Sequence, residues 1–255
     1  MSAPHPLLAV IGGSGLYALP AFEPLCAIEE TTPWGDPSGP IRVGRLFGHA
    51  VAFLARHGED HALPPHRVNY RANLHALAQL EPQAVLAINT VGGITPACPP
   101  RALVVPDQII DYTQGRAASF WDGAGEMLHA EFGEPYGARI RNALIDAGAA
   151  ADVALVEGGC YGATSGPRFE TRAEIASLRR DGCDLVGMTG MPEAALAREL
   201  ALDYACLAPV ANWAAGCGDG KEISLEDVFA NLAAANAQLP ALLELLLARL
   251  AQDTA

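Results

Sequence analysis

The chain has 255 residues, 51% of them hydrophobic and 18% charged, which excludes disorder and allows a sizeable buried core. Its net charge of -13, from 16 Lys and Arg against 29 Asp and Glu, argues against nucleic-acid or anionic-membrane partners, since both require a basic face. The 6 cysteines include no CxxC pair and mostly sit in apolar runs. The amino terminus lacks the basic start and long apolar run of a secretory signal, and the expectation is a cytoplasmic protein without a membrane span.

A buried strand over 7–11 runs into Gly12-Gly13-Ser14-Gly15, whose amides and hydroxyl offer hydrogen bonds to a phosphate. Residues 13–18 also satisfy a permissive GxGxxG/A pattern, but Leu19-Pro20 stops the helix that a dinucleotide pyrophosphate needs. A hairpin over 41–55, turning at Gly48-His49, ends in Arg56-His57-Gly58. The guanidinium and imidazole form either an anion clamp or part of a surface turn. His57, His61 and His66 invite a zinc reading, yet Gly58, Pro64 and Pro65 bar the helix that would align them, and no metal is expected.

After a helix over 67–80, a strand over 84–90 leads into Gly92-Gly93. This leaves the Thr90 hydroxyl and the Val91 amide at a strand's carboxyl end, where open α/β sheets bind ligands. Strands over 103–111, 152–163, 184–188 and 204–211 alternate with helices near 135–147, 171–181 and 192–200. With no linker or repeat, residues 1–255 read as a single α/β domain. Ser224-Leu225-Glu226-Asp227 reads as a capping box opening an Ala/Leu helix that Pro240 interrupts and restarts.

The stretch 157–171 is too glycine-rich for an ordinary helix or strand and ends in Phe169-Glu170. A flat ligand can stack on the ring and bond to the carboxylate; locally, Phe169 can equally be core and Glu170 a first-turn helix acid. Asn212, placed just past its strand, is by itself an ordinary turn residue.

Taken in order, IGGSGLY, ARHG, PPHRVNYRANLHAL, INTVGGI, PDQIIDYT, GATSGPRFETRAEI, VGMTGMPEAALARELALDYACLA and VANWAAG resemble the trimeric branch of the purine nucleoside phosphorylases, which includes the methylthioadenosine phosphorylases. The resemblance implies a distorted mixed β-sheet surrounded by helices, a homotrimer, and inorganic phosphate as co-substrate with no cofactor. It implies a phosphate site at Ser14, Arg56, His57, Thr90, Val91 and Thr189, although the family often has Thr in place of Ser14 and Ala in place of Val91. It places Met188 under the ribose, Phe169 beside the base, and His129 in a neighbouring subunit's site. Asn212 and His57 are the implied catalytic residues.

Within the resemblance, Glu170 and the amide of Asn212 match the N1–H donor and O6 acceptor of a 6-oxopurine. Methylthioadenosine phosphorylases characteristically carry Asp at the positions of Asn212 and Ala214. Relatives acting on ordinary 6-oxopurine nucleosides usually have a His within the segment 223–229, where this chain has Leu225, Val228 and Phe229. An apolar 5′ pocket suits a methylthio group, so the expected substrate is methylthioinosine. Methylthioadenosine, or inosine and guanosine, are the alternatives within the family, and a catalytically silent nucleoside-binding protein is the alternative outside it.

Overall fold

A computed structural model describes residues 5–13, 21–123, 125–218, 220 and 222–253. The chain opens with β1 (Leu8–Gly12), buried along its whole length, which pairs in parallel with β4 (His49–Ala55) on one side and β5 (Val85–Ile88) on the other. Strands covered on both faces require unbroken apolar runs, and LAVIG and VLAI supply them. The β4 strand forms an antiparallel hairpin with β3 (Ile41–Leu46). Its turn lies at Phe47-Gly48, with φ of 49° and 81°, one residue earlier than the pattern suggests. The left-handed pair matches the strand twist.

An edge strand, β2 (Phe22–Ile28), was not anticipated. It is largely exposed, and Glu23 and Pro24 break any apolar alternation; the register slips between Pro24 and Cys26. Proline is tolerated there because it removes no ladder donor from a central strand.

The expected strand over 103–111 is two, β7 (Leu103–Val105) and β8 (Gln108–Asp111), parted at Pro106-Asp107. That over 152–163 divides into β9 (Leu155–Glu157) and β10 (Cys160–Ala163) at Gly158-Gly159, whose φ values of 88° and 111° suit glycine. The division lets β7 pair with β9 and β8 with β10 in different parts of the sheet. The remaining strands are β6 (Val91–Gly93), β11 (Leu185–Gly187) and β12 (Tyr204–Trp213). Among the described residues the mixed sheet has 12 strands, and its main path runs β2-β3-β4-β1-β5-β12-β6-β11-β10-β8.

The distortion centres on β12, which follows β5 through Leu207, meets β7 antiparallel at Ala208-Pro209, and follows β6 from Val210. A bulge between Val210 and Asn212 carries the strand on to Trp213, so Asn212 lies within the strand rather than in a turn after it.

Helices close both faces. On one, α1 (Tyr70–Ala78) meets α4 (Glu193–Glu199); on the other, α2 (Ala138–Ala150) packs on α6 (Leu239–Gln252). Six leucines of α6 are buried, each contributing roughly 1.5–3 kcal/mol relative to exposure. Thr171 caps α3 (Arg172–Arg180) in a capping box with Glu174, and Ser224 caps α5 (Leu225–Asn236) by accepting the Asp227 amide hydrogen. By composition alone Leu225–Gln252 reaches the length and apolarity of a membrane span, against expectation. The chain instead divides it into α5 and α6, with Pro240 in the first turn of the second, and lays the α6 leucines into the core.

Candidate active site

A cavity of about 530 Å³ lies where β1, β4 and β5 end and the bulged part of β12 passes. The β11 strand, antiparallel to β6, brings Met188 and Thr189 to it from the opposite direction. Gly13, Arg56, His57, Thr90, Val91 and Thr189 form one end; Phe169, Glu170, Met188, Asn212, Ala214 and Val228 line the rest. Ser14 lies outside the described residues.

Arg56 enters the cavity because its amide bonds to the Gly12 carbonyl and prolongs the β1–β4 ladder. Its side chain is 3% exposed. Nε and Nη2 donate to the two carboxylate oxygens of Glu193 at 2.8 and 2.9 Å, Nη1 donates to the Ile88 carbonyl, and Nη2 also to the Ile11 carbonyl. Burial alone would lower the guanidinium pKa, but the Glu193 carboxylate outweighs it and holds the pKa above its ordinary value. Tyr204 donates its hydroxyl hydrogen to the same carboxylate at 2.9 Å. The clamp expected of Arg56 is therefore a compensated one, with one Nη1 hydrogen left for a ligand.

His57 stands in a short loop closed twice: the Leu63 amide donates to the His57 carbonyl, and His57 Nδ1 lies 2.7 Å from the Leu63 carbonyl. A carbonyl only accepts, so Nδ1 carries the hydrogen. Burial is the main cause that lowers the His57 pKa to about 4; the Leu63 bond opposes it, while Arg56 and His61 add to it. Near neutral pH the ring is uncharged, and Nε2, which has no partner among the described residues, keeps its lone pair.

Asn89, fully buried, donates from Nδ2 to the Thr189 hydroxyl oxygen at 2.7 Å, and the same hydroxyl also meets the Tyr161 hydroxyl. The buried Tyr161 hydroxyl accepts from the amides of Thr189 and Gly190, fixing the turn after β11. Asn89, Tyr161, Glu193 and Tyr204 all escaped sequence reasoning. Two left a legible trace: an amide in the apolar strand AIN, and a carboxylate opening the otherwise apolar helix PEAAL.

At the other end, Phe169 is 45% exposed, which removes the core reading. Glu170 precedes the Thr171 cap, so it is not a first-turn acid; it accepts from the Thr164 hydroxyl at 2.6 Å. Asn212 donates from Nδ2 to the Trp213 carbonyl at 2.7 Å, which sets the orientation of its amide and leaves the second hydrogen and Oδ1 unassigned. Gly92 makes room: a Cβ there would stand 3.3 Å from Asn212 Nδ2.

The α5 helix turns Val228, Phe229, Leu232 and Asn236 toward the cavity at helical spacing. Leu225 is not among them and is 61% exposed; Ile223, before the helix, lines the cavity instead. His129 is exposed and does not line this chain's own cavity. No group of three His, Cys, Asp or Glu among the described residues is disposed to hold a metal ion.

Residues 7–248 match the family model described as the phosphorylase superfamily. The chain belongs to this family. A protein of Xanthomonas campestris named "Probable S-methyl-5'-thioinosine phosphorylase" is 61% identical over 244 residues, covering 95% of this chain and 98% of that one. The "6-oxopurine nucleoside phosphorylase" of Pyrococcus furiosus is 45% identical over 231 residues, 88% of this chain and 85% of its own. Among solved structures, a methylthioadenosine phosphorylase sourced from an antarctic soil metagenomic library superposes with a TM-score of 0.92 at 35% identity, covering 100% of this chain and 89% of that one. This phosphorylase thus shares its fold with enzymes of differing named substrates, and side chains within the cavity must distinguish them.

Proposed function

We propose that this enzyme is a pentosyltransferase that uses inorganic phosphate to cleave S-methyl-5′-thioinosine, giving hypoxanthine and 5-methylthioribose 1-phosphate. The observation that carries the substrate reading is the pair Glu170 and Asn212 in one cavity whose far wall, Ile223, Val228, Phe229 and Leu232, is apolar. The carboxylate accepts from N1–H of a 6-oxopurine, and the amide donates at N7/O6. The apolar wall receives the methylthio group, which contributes about 1–2 kcal/mol on burial.

Phosphate, held by Thr90, the Val91 amide, Thr189, Arg56 and His57, attacks C1′ from the face opposite the departing base. As the glycosidic bond lengthens, positive charge grows on the ribose and faces the bound anion. Negative charge grows on the purine, where Asn212 stabilises it by roughly 3 kcal/mol, the scale of a preorganised oxyanion donor. No covalent enzyme intermediate and no cofactor enters the scheme.

The protein works as a cytoplasmic homotrimer in this reading, supported by exposed Trp121, Met127, Leu128 and Phe229, apolar surface suited to a second copy, and by free cysteines. His129 then reaches the sugar 5′ end of a neighbour's site. A second reading, ordinary 6-oxopurine nucleosides, draws on the Pyrococcus relative's name and on the modest power of an apolar wall to reject a hydroxyl, roughly 10²-fold. Phosphate-dependent base release from methylthioinosine, methylthioadenosine, inosine and adenosine at equal concentration decides between them. Preference for methylthioadenosine would overturn the base-site argument.

A further inference from the structure

The anion end of the cavity has little net positive charge to offer. Among the described residues that line it, Arg56 is the only permanent cation, and its charge is matched by the buried Glu193 carboxylate. Recognition there depends on directed hydrogen bonds, and one position is inverted in sense. The only ring hydrogen of neutral His57 goes to the Leu63 carbonyl, so Nε2 meets a ligand as an acceptor.

We infer that this site selects an oxyanion that brings its own proton: His57 Nε2 accepts from the P–OH of hydrogenphosphate, whereas sulfate, equal in shape and charge but without that hydrogen, meets a lone pair. The inference rests on the reading of this end of the cavity as the phosphate site. Sulfate can be accommodated only by protonating Nε2, which burial, the Arg56 guanidinium and the His61 ring at 4.9 Å all oppose. Thr90, Thr189 and the Val91 amide are donors and serve either anion equally; the Glu193 carboxylate is occupied by Arg56 and Tyr204. His57 thereby becomes the residue that determines anion specificity.

Titration calorimetry of the full chain with phosphate, arsenate and sulfate at pH 7.5 tests this. Arsenate is larger than phosphate but also carries a proton, so it separates size from hydrogen bonding. Phosphate and arsenate are expected to bind roughly tenfold or more tighter than sulfate, the scale of a hydrogen bond to a charged group. Sulfate binding as tightly as phosphate, arsenate grouping with sulfate, or no phosphate binding would each overturn the inference. In His57→Gln the side-chain amide can rotate to donate, and the phosphate-to-sulfate ratio is expected to fall toward unity; an unchanged ratio also overturns it. Nucleoside turnover is measured separately: wild-type anion preference without phosphate-dependent base release would count against the proposed function while leaving this inference standing.

Discussion

Arg56 and Glu193, 137 residues apart in sequence, meet in a two-point ion pair whose side chains are 3% and 0% exposed. The pair ties the end of β4 to the start of α4 beneath the anion site, and Tyr204 of β12 joins it from a third element.

Removing one member of a buried pair leaves an uncompensated charge, with a destabilisation of about 3–5 kcal/mol. Glu193→Ala is expected to lose stability on this scale in denaturant titration and to raise the KM for phosphate as Arg56 relaxes. Glu193→Gln keeps the volume and one acceptor, so it should fall between the two in both measurements. Wild-type stability and phosphate KM in both variants would remove Glu193 from any positioning role.

Asn212 is the test of base selectivity. Asn212→Asp replaces the amide donor with an acceptor, which suits the exocyclic amino group of adenine and repels O6. The ratio of kcat/KM for methylthioinosine over methylthioadenosine should drop by orders of magnitude, because a mispaired buried polar group can discriminate by as much as ~10⁴. The Trp213 carbonyl, now facing a carboxylate, should also lower overall activity. A ratio that does not move would place selectivity elsewhere in the cavity.

The depressed pKa of His57 has a consequence for stability whose sign can be worked out. Above about pH 6.5 the ring is neutral both folded and unfolded, and it contributes no pH dependence. Between 6.5 and about 4 the unfolded chain takes up a proton that the folded site refuses, so stability falls as pH falls; below about 4 both states are charged and the slope vanishes. Burial, with smaller contributions from Arg56 and His61, keeps the ring neutral on folding and outweighs the opposing hydrogen bond to the Leu63 carbonyl. Relative to His57→Gln, the melting temperature of the wild type should fall as the pH drops from 6.5 to about 4, by an amount set by this one titration. Parallel curves would show that His57 has an ordinary pKa.

Local chemistry made much of this structure legible. Buried parallel strands announced themselves as apolar runs and Pro240 as a restart; Arg56, His57, Thr90, Phe169 and Glu170 stood out locally as possible ligand groups, while Thr189 and the role of Asn212 came from the family resemblance alone, and the cavity gathers all seven. What stayed hidden depends on distant partners. Pro106 and Gly158-Gly159 are breaks that can be read locally, but nothing near them signals that β7 and β9 will leave with one pairing and β8 and β10 with another. Nothing near Arg56 reveals that a carboxylate so far along the chain will neutralise it. The error over Leu225 is one of position along the helix and not of phase: it shares a face with Val228, Phe229 and Leu232, but as the first residue of α5 it does not line the cavity.

The apolar wall on α5 makes a prediction about the sugar. Val228 lines the cavity one turn before Leu232, on the side assigned to the 5′ substituent; Asn236, two turns further along α5, is the polar residue of that helix in the cavity lining. Val228→His adds a hydrogen-bonding imidazole where the wild type has only hydrocarbon. The substituted enzyme should gain on inosine, whose 5′-hydroxyl finds a partner, and lose on methylthioinosine, whose sulfur and methyl lose about 1–2 kcal/mol of burial. The preference ratio should therefore shift by roughly tenfold or more toward inosine, with the KM for phosphate little changed because the anion site lies at the other end. A parallel loss on both nucleosides would mean that Val228 supports the cavity without touching the 5′ group. That outcome would leave Phe229 and Ile223 as the side chains to change next.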